Sequence, residues 1–335
     1  MNSKGVFAAW VVIATLCCRC QGGNPLQPKS GGRPYEVLVV DDVEGRVAAL
    51  LSEDMAGLPQ REPWFDVVTT DSAGFERNGK TMRNVVRVDI SPKTTERTII
   101  RYARDEWAAP QLVVHVITPS RQHLVKELPA LAPRLRALID KTERARTMAQ
   151  LSSHHAAEPT RAVEQLFGAQ MWIPVEMKAS KRADGFLWVS NDAAEGMCNI
   201  CVYRIASPQP ERFVAQRDSV MQRHVKGETD QMYMTTVAAS VLTERDGDKP
   251  EWTARGLWEM VGDAMGGPFT ARVMTMADGS TVVAEAFIYA PEGRKRNLLR
   301  RTEASIYSFR SKGLSEGQGA RGFPRGKGQG ARGES

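Results

Sequence analysis

The chain has 335 residues, 42% hydrophobic and 25% charged, which is the balance of a globular protein with a substantial core rather than of a low-complexity or polytopic membrane chain. Its net charge is +6, and five Lys/Arg against two Glu put +3 of that in Ser311–Ser335, so the body is only mildly basic and does not suggest a nucleic-acid surface. After the first twenty residues no stretch approaches the ~20 apolar residues of a membrane-spanning helix.

Those first residues read as an address. Lys4 precedes an uncharged run, Gly5–Cys18, too short to span a bilayer and of the length of the apolar h-region of a secretory leader, ~7–15 residues. It ends in Cys17, Cys18 and Cys20, followed by a Gly/Pro/Gln/Ser tether, Gln21–Gly32. This is the pattern of a bacterial lipoprotein signal. Cys18 is the expected acylated residue, with Cys20 and Cys17 as alternatives; Arg19 makes a cut before Cys20 unfavourable. Several acyl chains on one cysteine anchor a protein durably to a membrane. The expected organisation is a leader over 1–18, a tether over 19–32, a body over 33–310 and a tail over 311–335. The body divides into two possible α+β subdomains, about 33–165 and 166–310.

In the first half, Glu36–Val40 is a short apolar strand and Gly45–Met55 has a helical pattern that stops before Gly57-Leu58-Pro59. Phe65–Thr70 and Asn84–Ile90 read as strands, the second with Val86, Val88 and Ile90 on one face. Leu112–Ile117 is a continuous apolar run suited to a buried strand. Thr118-Pro119 is expected to cap a helix whose Leu124, Leu128, Leu131, Leu135 and Leu138 share a face, with Pro129 and Pro133 kinking or splitting it. A polar helical stretch then continues to about Phe167.

The second half reads as antiparallel. Phe186–Ser190 and Asn199–Ile205 are strand-like, and Glu211–Val225 is an amphipathic helix. Met232–Thr243 and Glu251–Met260 flank Asp246-Gly247, and Thr270–Met276 and Thr281–Tyr289 flank Asp278-Gly279; both are hairpin signals. Pro291 opens a last helix, with Leu299, Ile306 and Phe309 inward and Arg294, Lys295, Arg296, Arg300 and Arg301 on the other side. The tail repeats Gly-Gln-Gly-Ala-Arg-Gly and has too few apolar residues to bury, so it is expected to be disordered. The expected class is α+β, with mixed and antiparallel sheets and helices on one face.

Motifs for chemistry are sparse. Cys198 and Cys201 have a C-x-x-C spacing, but on a strand residues three apart point to opposite faces, so these thiols should stay unpaired and buried. Val37–Asp42 resembles the first strand and acidic pair of a phospho-receiver domain, with Asp89 and Thr118 at the ends of later strands. The Lys-Pro that such a domain requires is missing, and Asp41 and Asp42 read better as strand terminators, Asp42 also as a helix cap. No histidine stands at metal-ligand spacing, and there is no Gly-x-Ser-x-Gly elbow and no Walker loop, so no metal, cofactor or catalytic residue is assigned. Met265-Gly266-Gly267-Pro268-Phe269 reads as a turn whose glycines leave room for a ligand. Trp188, Arg255 and Trp258 are the candidate binding residues, because Trp and Arg are enriched in binding hot spots. Trp252 and Trp258 share one strand face, so at least one belongs to the core.

Several segments together carry a family resemblance: Gly32–Val40, Gly57–Gln60, Tyr102–Asp105, Trp172–Pro174, Arg217–Met221, Ala254–Trp258, Met265–Phe269 and Lys295–Arg300. They resemble the domain of unknown function family 4837, envelope lipoproteins typical of Bacteroides-like bacteria, over Gly32 to about Arg310. The resemblance implies an envelope address and no activity. In such lipoproteins acidic residues just after the cysteine mark surface export. Arg19–Asn24 has none, which implies an outer-membrane protein facing the periplasm. The reading that follows is a non-enzymatic envelope lipoprotein that binds another envelope protein or a glycan, with no nucleic acid and an open oligomeric state. The alternative is an envelope hydrolase that gathers groups such as Asp105, Glu285 and His115 in one pocket.

Overall fold

The computed structural model describes residues 27–194, 196–245 and 250–311. The leader with Cys17, Cys18 and Cys20, the Asp246-Gly247 turn and the Gly/Arg tail lie outside the described residues. The α+β class holds, in two halves with different sheets.

The amino-terminal half alternates strands and helices: β1 (Glu36–Val40), α1 (Arg46–Leu51), β2 (Asp66–Thr70), a single turn α2 (Ser72–Gly74) continued by a π-helical turn at Phe75–Gly79, β3 (Asn84–Ile90), β4 (Ile99–Arg104), β5 (Leu112–Thr118) and α3 (Arg121–Ser153). The sheet order is β2-β1-β3-β5-β4, parallel except for β4, which runs antiparallel to β5. The chain starts at β1, steps to β2 on one side, then crosses to β3 on the other. The β1/β3 gap is thus a topological switch point. One face packs Val37, Val39, Val86, Val88, Val114 and Val116 against α1 and α3. The other packs Leu38, Val40, Val85 and Val113 under Phe75, with Met82 and Trp107 alongside. Leucine and valine fill both sides of β1 and β5 because a strand covered on two faces has no polar face to show.

Local readings were adjusted by tertiary packing. The first helix ends at Leu51 rather than Met55, and β4 was not anticipated. The long helix begins two residues after Pro119, with the Ser120 hydroxyl accepting from the His123 amide at 3.3 Å. It runs through Pro129 and Pro133 to Ser153, because Leu124, Leu128, Leu135 and Ile139 hold it on the sheet on both sides of the prolines. Each proline removes one i→i−4 bond; the buried stripe outweighs that loss.

The carboxy-terminal half consists of α4 (Ala157–Phe167), β6 (Ala169–Gln170), β7 (Ala179–Ala183), β8 (Phe186–Ser190), β9 (Met197–Ile205), α5 (Phe213–His224), β10 (Tyr233–Arg245), β11 (Trp252–Val261), β12 (Gly266–Thr275), β13 (Thr281–Tyr289), α6 (Arg296–Tyr307) and β14 (Arg310–Ser311). Seven strands form one antiparallel sheet, β10-β11-β12-β13-β9-β8-β7, and β14 pairs with β6. One face carries Ile200, Val202, Ala284, Ala286 and Ile288 under residues of α4 and α6. The opposite face carries Tyr203, Trp252, Trp258, Phe269 and Phe287 under α5. Helices therefore cover both faces, not one, and β13 is buried along almost its whole length. Cys198 and Cys201 are free and buried, one in each of the two cores, as strand geometry requires. Gly266 and Gly267 belong to β12 rather than to a turn; a Cβ on Gly267 would overlap the Ile288 carbonyl oxygen of β13.

Helix α6 locks the two halves together. It starts at Arg296, five residues beyond Pro291, and its first backbone amides are held from the other half. The Glu62 carboxylate accepts from Lys295 N at 2.7 Å and Arg296 N at 3.0 Å. The Arg296 guanidinium donates to the Pro63 carbonyl and to Asp66, both at 2.6 Å. Arg300 donates to the Trp64 carbonyl at 2.9 Å and lies against the rings of Tyr35, Trp64 and Phe65, 4.3–5.3 Å from their centroids. The basic side of this helix is therefore an interface: Arg296 and Arg300 are buried, whereas Arg294 and Arg301 stay in solvent.

Candidate binding cleft at the junction

The cleft arises where the loop after α1 lies across the outer strands of the seven-stranded sheet. Gly57 takes φ +82°, and its Cα hydrogens face the Arg255 Cβ, so the loop rests directly on β11. On the face of β10 and β11 shared with α6, this crossing leaves an apolar cavity on each side. One, about 300 Å³, is lined by Pro59, Val237, Leu257, Met265, Gly266 and Gly267, with Glu259 and Asp263 at its rim. The other, about 320 Å³, is lined by Met55, Ala56, Trp64, Leu242 and Thr253, with Glu244 at its rim. Leu242 is 53% exposed, the most exposed large hydrophobic side chain among the described residues. Between the cavities β10 bulges, with Val237 opposite Leu257 and Leu242 opposite Arg255. The Ser240 hydroxyl secures the bulge by donating to the Val237 carbonyl at 2.6 Å and accepting from Leu257 N at 2.8 Å. β10 is the last strand of the sheet, and beyond the bridge of Tyr233 to Lys226 its outer backbone edge has no strand partner among the described residues.

The three binding candidates lie elsewhere than on a free surface. Trp258 is 2% exposed, donates from Nε1 to the Ile288 carbonyl at 3.2 Å and packs edge-on to Phe287. Trp252 is equally buried, so both tryptophans of that strand face pack in the core, although Trp258 also borders the smaller cavity. Trp188 is half-buried, with Nε1 donating to Asn199 Oδ1 at 3.0 Å. Arg255 borders the larger cavity but is engaged: Nη1 and Nη2 donate to the two Glu303 oxygens at 2.9 and 2.6 Å. Burial opposes the Arg255 charge, and Glu303 more than restores it, raising the pKa. The same partner holds Glu303 below the ordinary carboxylate range despite its burial.

Asp105, Glu285 and His115 are not gathered in one pocket. Glu285 lies under α5, fully buried, and takes Arg217 Nη2 at 2.7 Å and Nε at 3.0 Å, while Tyr203 donates its hydroxyl at 2.7 Å. Arg217 also donates to Thr236 at 2.8 Å and stacks 4.2 Å from the Phe269 ring centroid. Burial, with Glu285 beside them, pushes the Tyr203 hydroxyl and the Cys201 thiol well up. This is a closed network inside a hydrophobic core, with no opening for a substrate. Asp105 is a loop residue whose carboxylate accepts from Gln111 N at 2.7 Å. Asp41 accepts from the Ser72 amide and hydroxyl, and Asp42 from Val47 N and Ala48 N at 3.0 and 2.9 Å. Asp42 thus caps α1 as its sequence position suggested, and both carboxylates serve the backbone.

His115 has different neighbours. It stands on β5 between Arg87 of β3 and Arg101 of β4, in one row across the sheet. Nδ1 is 3.0 Å from Asp89 Oδ2, and Nε2 is 3.9 Å from Glu106 Oε2. The Asp89 hydrogen bond raises the His115 pKa, and the same bond lowers that of Asp89. Arg87 lies 5.0 Å from the Phe75 ring centroid, and its buried Nε has no hydrogen-bond partner. The sequence places Arg87 and His115 inside apolar strands. That break in two valine runs is the signal that could have found them. Neither Arg217 nor Glu285 carried such a signal as a pair, since they are 68 residues apart. Among the described residues no three His, Cys, Asp or Glu side chains are placed to hold a metal ion, and no helix is long and apolar enough to cross a membrane.

No curated protein matches this chain. Among solved structures, the lipid transfer and protein localization domain of human StarD13 (DLC2) is similar at 11% identity over 46% of this chain and 94% of that one; its TM-score of 0.21 is too low to carry an argument. Residues 30–152 match a domain of unknown function (DUF8532), and Gly32–Val40, Gly57–Gln60 and Tyr102–Asp105 fall within that match. A second domain of unknown function (DUF4837) matches residues 156–308, narrower than the Gly32–Arg310 extent of the resemblance and coincident with the antiparallel sheet and its helices. Through residues 156–308 the chain belongs to the DUF4837 family.

Proposed function

We propose that this chain is a lipid-anchored cell-envelope protein, held at the outer membrane on its periplasmic side, that binds a partner and does not transform it. The occupant is an extended segment of another envelope protein, with apolar side chains and a basic residue beside them. The observation that carries this reading is the cleft: two apolar cavities of about 300 and 320 Å³ in line along an edge strand, rimmed by Glu244, Glu259 and Asp263. Ligand sites favour such junctions. An edge strand offers main-chain bonds to an added strand, while cavities beside it select alternate side chains. A glycan would need an exposed aromatic platform, and Trp258 and Trp252 are both interior. The sequence supports the anchor, with Cys18 as its residue.

The test is site-specific photo-crosslinking in the native envelope, from positions Val237 and Leu242, with exposed Val125 on α3 as control. One common protein crosslinked from both cleft positions, absent from Val125 and lost with Glu259→Lys/Asp263→Lys, supports the reading. The same crosslinks from Val125, or none from the cleft, would overturn it. Intact mass of the membrane-extracted protein, compared with Cys18→Ala, tests the anchor separately.

A further inference from the structure

We propose that the amino-terminal half carries a second, separate site that takes a phosphate-class oxyanion, bound between Arg87, His115 and Arg101. The three residues occupy one cross-strand row, Arg87 opposite His115 and His115 opposite Arg101, on adjacent strands ~4.8 Å apart with side chains on one face. Like charges placed opposite one another destabilise a sheet, so three cations abreast need a reason. The charges that could neutralise them are only partly used. Asp89 is committed to His115 Nδ1. Glu106 stands 3.9 Å from Nε2, beyond hydrogen-bond length, so that ring edge has a donor and no acceptor. The side chains of Arg87 and Arg101 make no hydrogen bond or ion pair among the described residues, and Arg87 Nε is buried without any partner. A buried donor left unsatisfied in a native fold calls for an ion or water that completes it.

The location fits. The cover of this face ends at Phe75 of the π-helical turn and Trp107 of the β4–β5 loop, leaving His115 partly exposed and Arg101 open. The row crosses β3 and β5 at mid-strand, level with Val40 at the carboxyl end of β1, and Arg87 borders the β1/β3 switch point. Arg87 supplies a guanidinium fixed against Phe75, His115 an imidazolium N–H turned outward by Asp89, and Arg101 an exposed second guanidinium. Glu106 competes with the anion for Nε2. The groups that face His115 are Arg87 and Asp89 from β3, Arg101 from β4 and Glu106 from the β4–β5 loop; Glu76 and Lys80 of the π-helical turn pair with each other. Affinity should fall as pH rises through the raised His115 value, because the outward proton is then lost.

The test titrates the full mature chain with inorganic phosphate and follows the His115 ring protons by NMR. A saturable shift is expected at pH 6, weakened at least tenfold in Arg87→Gln and in Arg101→Gln and strengthened severalfold in Glu106→Gln. Unchanged affinity in Arg97→Gln, a neighbouring exposed control, is also expected. A linear, non-saturating response shared by wild type and all variants overturns the site, as does Glu106→Gln without effect alongside folded Arg87→Gln of wild-type affinity. Parallel arms with glycerol phosphate and with phosphatidylglycerol vesicles against phosphatidylcholine vesicles identify the source: a free phosphate ester in the first case, a lipid headgroup if only the anionic vesicles bind in an Arg87-dependent way.

Discussion

The two halves treat an arginine packed against a sheet in opposite ways. Arg217 of α5 is sealed against the antiparallel sheet, and each of its nitrogens meets Glu285 or Thr236. On the mixed sheet Arg87 is half covered, and one of its donors meets nothing. The first arrangement is self-sufficient and reads as architecture; the second is incomplete and reads as a place for something else. Satisfaction of the buried polar atoms, rather than burial itself, separates these two arginines; Arg300, whose Nε and Nη2 also lack hydrogen-bond partners, is instead enclosed by the Tyr35, Trp64 and Phe65 rings. A pKa displaced by burial and partners is found in both halves, at Glu303 and at Asp89, so displacement alone would not have told them apart.

The strongest way to break this contrast is to open the sealed network. Glu285→Ala leaves the buried Arg217 charge with only Asp218, at 3.9 Å, and should cost about 3–5 kcal/mol, read as a shift of the urea midpoint at constant slope. The double replacement Arg217→Met/Glu285→Leu should recover much of that loss, since a hydrophobic pair of similar volume is tolerated at such sites. A single variant that loses under about 1 kcal/mol, or a double variant worse than either single, would show that the network does not carry the core. Trp258→Ala tests the same half by volume: removal of a side chain packed on Phe287 should cost about 3–5 kcal/mol. The half-buried Trp188→Ala should cost clearly less. Equal costs would return Trp258 to the surface.

At the junction the expected effect is smaller. Glu62→Ala removes the acceptor of the first two backbone amides of α6, a capping loss of about 0.5–2 kcal/mol. Because Glu62 and α6 belong to different halves, the same variant should split unfolding into two transitions seen by calorimetry. A single transition moved down by the same amount in both halves would mean that the other contacts of Arg296 and Arg300 suffice to keep them coupled.

How much of this was legible in the chain follows from what each feature depends on. The hairpin strands around Asp278-Gly279, the buried Leu112 run and the opposed Cys198 and Cys201 rest on local pattern, and they stand where the residues put them. The uninterrupted α3 does not: Pro129 and Pro133 argue locally for a break, and only the sheet beneath the helix overrides them. Arg296 and Arg300 read as a solvated basic face because the aromatic pocket that receives Arg300 comes from Tyr35, Trp64 and Phe65, more than 230 residues away. The cleft had fragments of a signal in Gly57 and Gly266-Gly267, but its walls meet only after both halves have folded. Trp188, Arg255 and Trp258 were chosen by residue type, and type does not distinguish an anchor awaiting a partner from one already satisfied inside the fold.

The smallest expected effect is the most specific for the open face. His115 has a folded pKa raised above the ordinary imidazole value of 6.5, so its contribution to stability is complete below about pH 6.5 and is lost as pH rises through the folded value. Asp89 has a folded pKa lowered from 3.8, so its contribution is present above about pH 4 and is lost as pH falls through the folded value. The pair therefore stabilises most between those limits. Both side chains are more than a quarter exposed, at 27% and 37%, which keeps the gain in the range of solvent-screened pairs, about 0.2–1 kcal/mol. The difference in unfolding free energy between wild type and Asp89→Asn should peak near pH 5–6 and shrink on both sides. A bound oxyanion changes the shape of that curve. It needs the same His115 proton, so added phosphate should stabilise wild type further below the raised value and do little above it. In Arg87→Gln the pair persists and the phosphate increment disappears. A phosphate increment that survives in Arg87→Gln would leave the pH-sensitive pair standing as a local ion pair and remove the reason for its orphaned neighbour.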